Sequence, residues 1–221
     1  LADGVLSSSG GKLSHLADNL SAFAKNLDGS VDDVMELGGK KTPRLGGQTG
    51  GGLGTSQTKH WIEDASEILK DGSHLDGKVP KPNVVYEAGE HSYLYRTDEV
   101  GRIDRAYAED LQLKLHEGRL PHNSNTPDKE IGDHAGHIFG DLFGGSPELD
   151  NLVSQAKDVN LKEYRRIERD WADALKSNPP KKVEVDVKIN YEGSSMRPTS
   201  FEVNYKIDGK KYNEIIPNIN R

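Results

Sequence analysis

The sequence contains no cysteine, which excludes disulfide scaffolds, thiolate zinc sites and cysteine nucleophiles. It also has no run of about 18 consecutive apolar residues, so a membrane-spanning helix is not expected. Basic residues are fewer than acidic ones, 29 against 36, and the net charge is −7. This balance excludes a globally basic nucleic-acid binder, although a local basic groove remains compatible with it.

The composition changes along the chain and predicts three segments. Residues 1–37 carry apolar side chains at steps of three or four, such as Leu13, Leu16 and Leu20, which predicts an amphipathic helical segment. Its polar face has few cations, so packing on another helix is favoured over a membrane-surface role. Residues 38–56 are glycine-rich and predict a flexible linker. Residues 57–221 then form the main domain.

Within the main domain, patterning predicts both helices and strands. Residues 56–69 and 161–175 have helical spacing, and Asn160 stands where a helix N-cap is expected. Residues 100–115 fit either period, and residues 120–132 predict a loop. Short strands are predicted at 83–87, 91–96, 183–189, 201–205 and 212–216. Because Asp208-Gly209 predicts a hairpin and no βαβ alternation is present, the fold class is α+β with an antiparallel sheet.

Three polar residues in the second half stand out, and each has an ordinary structural interpretation. Glu168 falls in the middle of the apolar stripe of the predicted helix, where a carboxylate needs a buried cation or a hydrated metal ion. Asn160 alone is explained as a helix cap, and His137 alone as a structural histidine. The His134/His137 spacing lacks a third ligand, which argues against a zinc hydrolase.

The spacing of these residues is more informative than any one of them. A histidine in the sequence D-H-A-G-H is followed by four polar residues at fixed steps, namely Asn151, Gln155, Asn160 and Glu168. This pattern resembles that of the ββα-metal (His-Me finger) nucleases, specifically the DNA/RNA non-specific endonucleases. The sequence F-G-G-S followed by D-N-L is similar to the branch found in polymorphic toxins of the type VII secretion route.

The resemblance implies a role for each matched residue in a ββα-metal core. His137 would be the general base, and Asn160 the direct ligand of a divalent cation, Mg²⁺ or another such as Mn²⁺. Glu168 would hold the metal through water. Asn151 and Gln155 would orient the motif. Two more supporting residues are implied, Asp133 and His134.

The sequence departs from the family pattern at two positions. His134 stands where the toxin branch has an aspartate, with Asp133 one step earlier, and Ala135 replaces the arginine of the D-R-G-H branch. The phosphate-binding arginine must therefore come from elsewhere. The candidates are Arg165, Arg166, Arg169, Arg102 and Arg105.

The family also implies a biological setting. The expected protein is a secreted antibacterial effector whose C-terminal nuclease domain, residues 57–221, cuts DNA in the target-cell cytoplasm, with RNA left open as a second substrate. It would leave by type VII export, since no signal peptide is visible, and a cognate immunity protein would neutralise it. The alternative is a catalytically silent relative that serves as a partner-binding or export module.

Overall fold

The structure, a computed structural model, describes residues 57–220. The predicted segments 1–37 and 38–56 lie outside the described residues. Helix α1 spans Gln57–Glu63, a 3-10 turn spans Asp141–Phe143, and a π-helix at Val159–Tyr164 runs directly into helix α2 at Arg165–Lys176. Over the described range, no helix is both long enough and apolar enough to cross a membrane.

Most of the described strands belong to one mixed sheet. In chain order the strands are β1 (Ile68–Leu69), β2 (Leu75–Asp76), β3 (Val79–Pro80), β4 (Val85–Ala88), β5 (Tyr93–Thr97), β6 (Ile103–Ala108), β7 (Asp133–His137), β8 (Leu152–Ala156), β9 (Val183–Asn190), β10 (Ser200–Ile207) and β11 (Lys210–Pro217). Within residues 57–220 the large sheet has the order β1-β4-β5-β6-β9-β10-β11, and only its β1–β4 pair is parallel. The predicted α+β class is confirmed.

The C-terminal strands follow the alternation of the sequence. Val183, Val185 and Val187 of β9 are fully buried, and the last pairs opposite Val203 of β10. The β10–β11 turn places both central residues at positive φ, 47° at Asp208 and 78° at Gly209, as a two-residue hairpin turn requires. The predicted antiparallel sheet is therefore confirmed.

The π-helix and the α2 helix that continues it pack across this sheet through aromatic side chains. Trp171 is fully buried, with its ring 5.8 Å from that of Tyr205 on β10, and Tyr164 lies 5.8 Å from Phe201. Burying one such side chain contributes roughly 1.5–3 kcal/mol. This packing fixes the helix, and with it every functional candidate that the helix carries.

Strands β7 and β8 form a separate antiparallel ladder that leads into the same helix. His134 pairs with Gln155, and His137 with Leu152. The ladder and the following helix, residues 133–176, are called the finger below. A two-stranded ladder followed by a helix is the ββα arrangement that the resemblance predicted.

Three local predictions need correction or resolution. The helix predicted over 56–69 ends at Glu63, because Ile68 and Leu69 pair with β4 instead. Residues 100–115, which fitted either period, contain β6. Asn160 is not an N-cap: the helix begins at Val159, and Asp158, at the capping position, makes no side-chain cap hydrogen bond.

Candidate active site

The loop that joins β7 to β8 is built around the amide of Asn151. This side chain is fully buried, and its Nδ2 donates to the carbonyl oxygens of Phe139 at 2.9 Å and Ser146 at 2.8 Å. Its Oδ1 accepts from the Phe139 N–H at 3.0 Å and the Tyr95 hydroxyl at 2.9 Å. Every hydrogen-bonding position of the amide is therefore used within the protein.

The start of β7 is fixed by an ion pair. The buried Asp133 carboxylate accepts two hydrogen bonds from Arg197, at 2.7 Å from Nε and 3.0 Å from Nη2. Arg197 also donates to the carbonyl oxygen of Asn218 at 3.1 Å. This bidentate geometry clamps the base of the finger to the turn after β9 and to the C-terminal segment.

Asn160 lies in the π-helix and reaches the middle of β7. Its Nδ2 lies 3.0 Å from Nδ1 of His134. Because the amide nitrogen can only donate, Nδ1 of His134 is the acceptor and that ring nitrogen carries no proton. The Oδ1 of Asn160 accepts no hydrogen bond from the described residues. π-helical turns occur frequently at functional sites.

His137 closes the same strand and is neutral near pH 7. Burial lowers its pKa to about 4, with further lowering by His122 and Arg119 and an opposite effect of Asp141. Its ring packs edge-on against that of His122, with the centroids 5.1 Å apart. No hydrogen bond of the described residues joins His137 directly to Asn160 or Glu168.

Glu168 projects from α2 against Gly140, just beyond the end of β7. A side chain at Gly140 would collide with the Glu168 carboxylate. Burial raises the pKa of Glu168 to about 7, against the opposing effects of Arg165, Arg119 and the Gly140 N–H. Among the described residues no lysine or arginine forms an ion pair with it, so the buried-cation interpretation of this carboxylate has no partner here.

Residues of the π-helix and α2 contact β7, and the residues that follow β7, in matching order. Asn160 contacts His134, the Tyr164 hydroxyl donates to the carbonyl oxygen of Ile138 at 2.9 Å, and Glu168 lies against Gly140. Asn160 and Glu168 therefore lie on one helix face, and His137 lies along the strand between the levels of these two residues.

Gln155 occupies the space beside Gly136 on the ladder. The side chain is buried, and a Cβ at Gly136 would collide with it. Neither its Oε1 nor its Nε2 has a hydrogen-bond partner in the described part of the chain. An unsatisfied buried amide is costly in a folded protein, so its presence next to His134 marks this face of the ladder as unusual.

The predicted arginines divide into paired and unpaired groups. Arg102 is held by Asp98 at 2.6 Å, Arg105 lies 3.7 Å from Asp186, and Arg166 lies 3.0 Å from Glu214. Arg165 and Arg169 pair with no carboxylate of the described residues. Arg165 is also one of the charges that act on Glu168.

Sequence reasoning missed the contribution of the loop before β7. This loop supplies His122, which contacts His137, and Arg119, which lowers the pKa of both His137 and Glu168. Lys129, in the same loop, and Lys157 lower the pKa of His134 after burial, its main cause. These cations bring positive charge close to the candidate site of an acidic protein. No motif could have revealed Arg119 or Lys129, because both belong to the irregular loop before β7.

The comparison with known families agrees with this geometry. Residues 82–209 match the DNA/RNA non-specific endonuclease family, and the match covers more than half of the chain. The chain belongs to this family. Its finger, with the histidine, asparagine and glutamate described above, lies inside the matched range, so the predicted family is confirmed.

This nuclease domain is also similar to a component of a bacterial secretion system. Over 147 residues it is 35% identical to the type VII secretion system protein EssD of Staphylococcus aureus strains USA300 and NCTC 8325 / PS 47. The aligned region is 63% of this chain and 24% of each relative, so the chain spans about a quarter of their length.

Two solved nuclease structures have a partial likeness to this chain. NucA from Streptococcus agalactiae with magnesium ion bound is 16% identical with a TM-score of 0.44, over 75% of this chain and 92% of that one. Sda1 nuclease with bound zinc ion is 22% identical with a TM-score of 0.36, over 41% and 39%.

Proposed function

We propose that this nuclease domain hydrolyses phosphodiester bonds of DNA, and also of RNA, without base specificity, and that a divalent cation is required. The observation that carries the proposal is the state of Asn160. Its amide nitrogen donates to His134, while its oxygen has no partner within residues 57–220 and lies on the helix face that also carries Glu168. The three proposed catalytic residues are His137, Asn160 and Glu168.

The residues present fit a hydrated divalent cation. An amide oxygen and a carboxylate are the hard oxygen donors that Mg²⁺ prefers, and Mn²⁺ accepts the same donors. No group of three or more His, Asp or Glu side chains within residues 57–220 is arranged to hold a metal, so few protein atoms are available as ligands. Asn160 would bind the cation directly, and Glu168 would hold its water ligands.

His137 is suited to accept a proton at neutral pH. With a pKa of about 4 its imidazole is unprotonated there, so a ring nitrogen is free to take the proton from the water that attacks phosphorus. When bound, the cation would supply charge neutralisation at the phosphate oxygens and the leaving 3′ oxygen. Asn151 and Gln155 would orient the finger around these groups, and Asp133 and His134 would hold the strand and the Asn160 amide.

Plasmid cleavage in the presence of Mg²⁺ tests this assignment. We expect the wild type to nick and linearise plasmid DNA, a chelator to stop it, and His137→Ala to lower the rate by about 100- to 10,000-fold. His60→Ala changes an exposed histidine of α1, is the matched control and should cleave like the wild type. If folded wild type and His137→Ala leave the plasmid equally intact, the nuclease assignment is wrong for this chain.

A separate measurement addresses the cation itself. Titration calorimetry with Mn²⁺ should show binding to the wild type and its loss in Asn160→Ala, because the only direct ligand is removed. Asn213→Ala changes an exposed asparagine on β11 and is the control. Equal Mn²⁺ affinity in wild type and Asn160→Ala would remove Asn160 from the metal site.

The likeness to EssD supports a proposal about biological role. The domain would be the C-terminal toxin of a secreted antibacterial effector that is exported by a type VII system, acts in the target-cell cytoplasm and is neutralised by an immunity protein. Residues 1–37 and 38–56 would be its helical segment and linker. Induced expression in a bacterial cytoplasm should stop growth, and His137→Ala should relieve this effect. Growth that is unaffected by an enzymatically active domain would contradict the toxin role.

A further inference from the structure

Residues 111–122 of the loop between β6 and β7, called the strap below, are held beside the candidate site by hydrogen bonds. The N–H of Leu120 donates to Oδ1 of Asp141 at 2.9 Å, and the N–H of Lys114 donates to the carbonyl oxygen of Leu142 at 2.9 Å. Lys114 Nζ also bonds to the carbonyl oxygen of Gly118. The two residues that flank Arg119 are therefore both held in place.

The carboxylates near the strap are already compensated. Asp141 accepts from Lys114 Nζ at 3.0 Å and lies 3.2 Å from Nε2 of His116, in addition to its bond from Leu120. Glu90 contacts the other ring nitrogen of His116 and accepts from the N–H of Leu115 at 2.6 Å. Neither carboxylate pairs with Arg119, whose exposed guanidinium has no ion-pair partner in the described part of the chain.

The residues that follow Arg119 in the strap contact two parts of the candidate site. Leu120, the next residue, is bonded to Asp141, which directly follows Gly140, the contact of Glu168. His122, a little further along, packs against His137. The electrostatics agree with this placement, because the Arg119 charge lowers the pKa of both His137 and Glu168.

We propose that Arg119 is a catalytic residue that binds the non-bridging oxygens of the phosphate that is cut. The inference rests on the proposed function. A guanidinium stays charged at every relevant pH and can donate two parallel hydrogen bonds to one phosphate. Arg102, Arg105 and Arg166 are less suitable because carboxylates already hold them. Arg119 would thus supply the positive charge that Ala135 does not.

Cleavage of a small substrate separates this role from general DNA binding. With bis(p-nitrophenyl) phosphate and saturating Mg²⁺, Arg119→Ala should lower kcat/KM by about 100- to 1,000-fold. Arg119→Lys should recover part of this loss, since lysine keeps the positive charge but cannot donate two parallel hydrogen bonds. Millimolar guanidinium in solution should restore the activity of Arg119→Ala but not that of His137→Ala. Lys211→Ala, which removes an exposed cation of β11, is the matched control and should remain near wild type.

Binding measured without cleavage keeps the inference testable by itself. In chelator, the affinity of a short DNA duplex should fall with salt, and Arg119→Ala should reduce the slope of log K against log salt by about 0.9, the value for one phosphate contact. An unchanged slope together with wild-type kcat/KM would overturn the role of Arg119 while leaving the nuclease assignment intact. Wild type that binds DNA but never cleaves it would instead overturn the proposed function, and the slope would still decide the phosphate contact.

Discussion

The finger has two regions that differ in how their polar groups are paired. Its base is the start of β7 and the β7–β8 loop, and its open side is the face that carries His137, Asn160 and Glu168. At the base, Asp133 is buried against Arg197 and Asn151 uses all of its hydrogen-bonding positions. On the open side, among the described residues, Glu168 has no ion-pair partner and the oxygen of Asn160 has no hydrogen-bond donor. The satisfied groups hold the backbone in place, whereas the unsatisfied ones have binding capacity to spare for a ligand.

The comparison separates stability from chemistry within one supersecondary unit. Removing a satisfied buried group leaves its partners unpaired and destabilises the fold. Removing a side chain that still has an unused donor or acceptor leaves fewer partners unpaired, so it should disturb the fold less and change mainly binding or catalysis. Substitutions in the two regions should therefore give opposite patterns of unfolding free energy and activity.

The largest loss of stability is expected at the ion pair under β7. Arg197→Ala leaves the buried Asp133 carboxylate without its partner and should lower the free energy of unfolding by about 3–5 kcal/mol in urea titrations. Adding Asp133→Asn should recover part of the loss. Arg166→Ala breaks the exposed pair with Glu214 and should cost at most about 1 kcal/mol. Equal losses for the two single variants would show that the pair under β7 is not a clamp.

A somewhat smaller loss is expected at the amide that organises the β7–β8 loop. Asn151→Ala removes four hydrogen bonds and leaves the Phe139 N–H without its acceptor, which should lower the free energy of unfolding by about 3 kcal/mol. Asn213→Ala, exposed on β11, is the control and should stay within about 0.5 kcal/mol of wild type. A wild-type unfolding midpoint for Asn151→Ala would place this residue with the open side of the finger.

The pattern of the sequence was sufficient for the parts of the fold that depend on local periodicity. Alternation located β9 and β10, and Asp208-Gly209 located their hairpin to β11, since both signals act between neighbours in the chain. The fixed spacing from His137 to Glu168 located the finger for a similar reason, because one ladder and one helix contain the whole motif.

Predictions failed where a distant segment decided the outcome. The sequence indicated a helix through Leu69, but Ile68 and Leu69 gain strand partners on β4, far along the chain. Asparagine is a common N-cap residue, but the helix starts one residue before Asn160, as a π-helix. The Asn160 amide therefore contacts His134 and does not cap the helix. Arg119 carries no signal at all, because its position depends on long-range contacts of the strap.

The smallest effect concerns the open side and its dependence on pH. Burial lowers the pKa of His137 to about 4, below the ordinary 6.5, so between these values the unfolded chain takes up a proton that the folded protein does not. The folded state is therefore favoured fully above pH 6.5 and loses this advantage as the pH falls toward 4. Measured in chelator, wild type should lose about 2 kcal/mol relative to His137→Gln between pH 8 and pH 5, because glutamine stays neutral throughout. If the difference in free energy of unfolding between the two proteins is the same at both pH values, His137 is not kept neutral by its surroundings. The contrast between the two regions of the finger would then fail at the proposed general base.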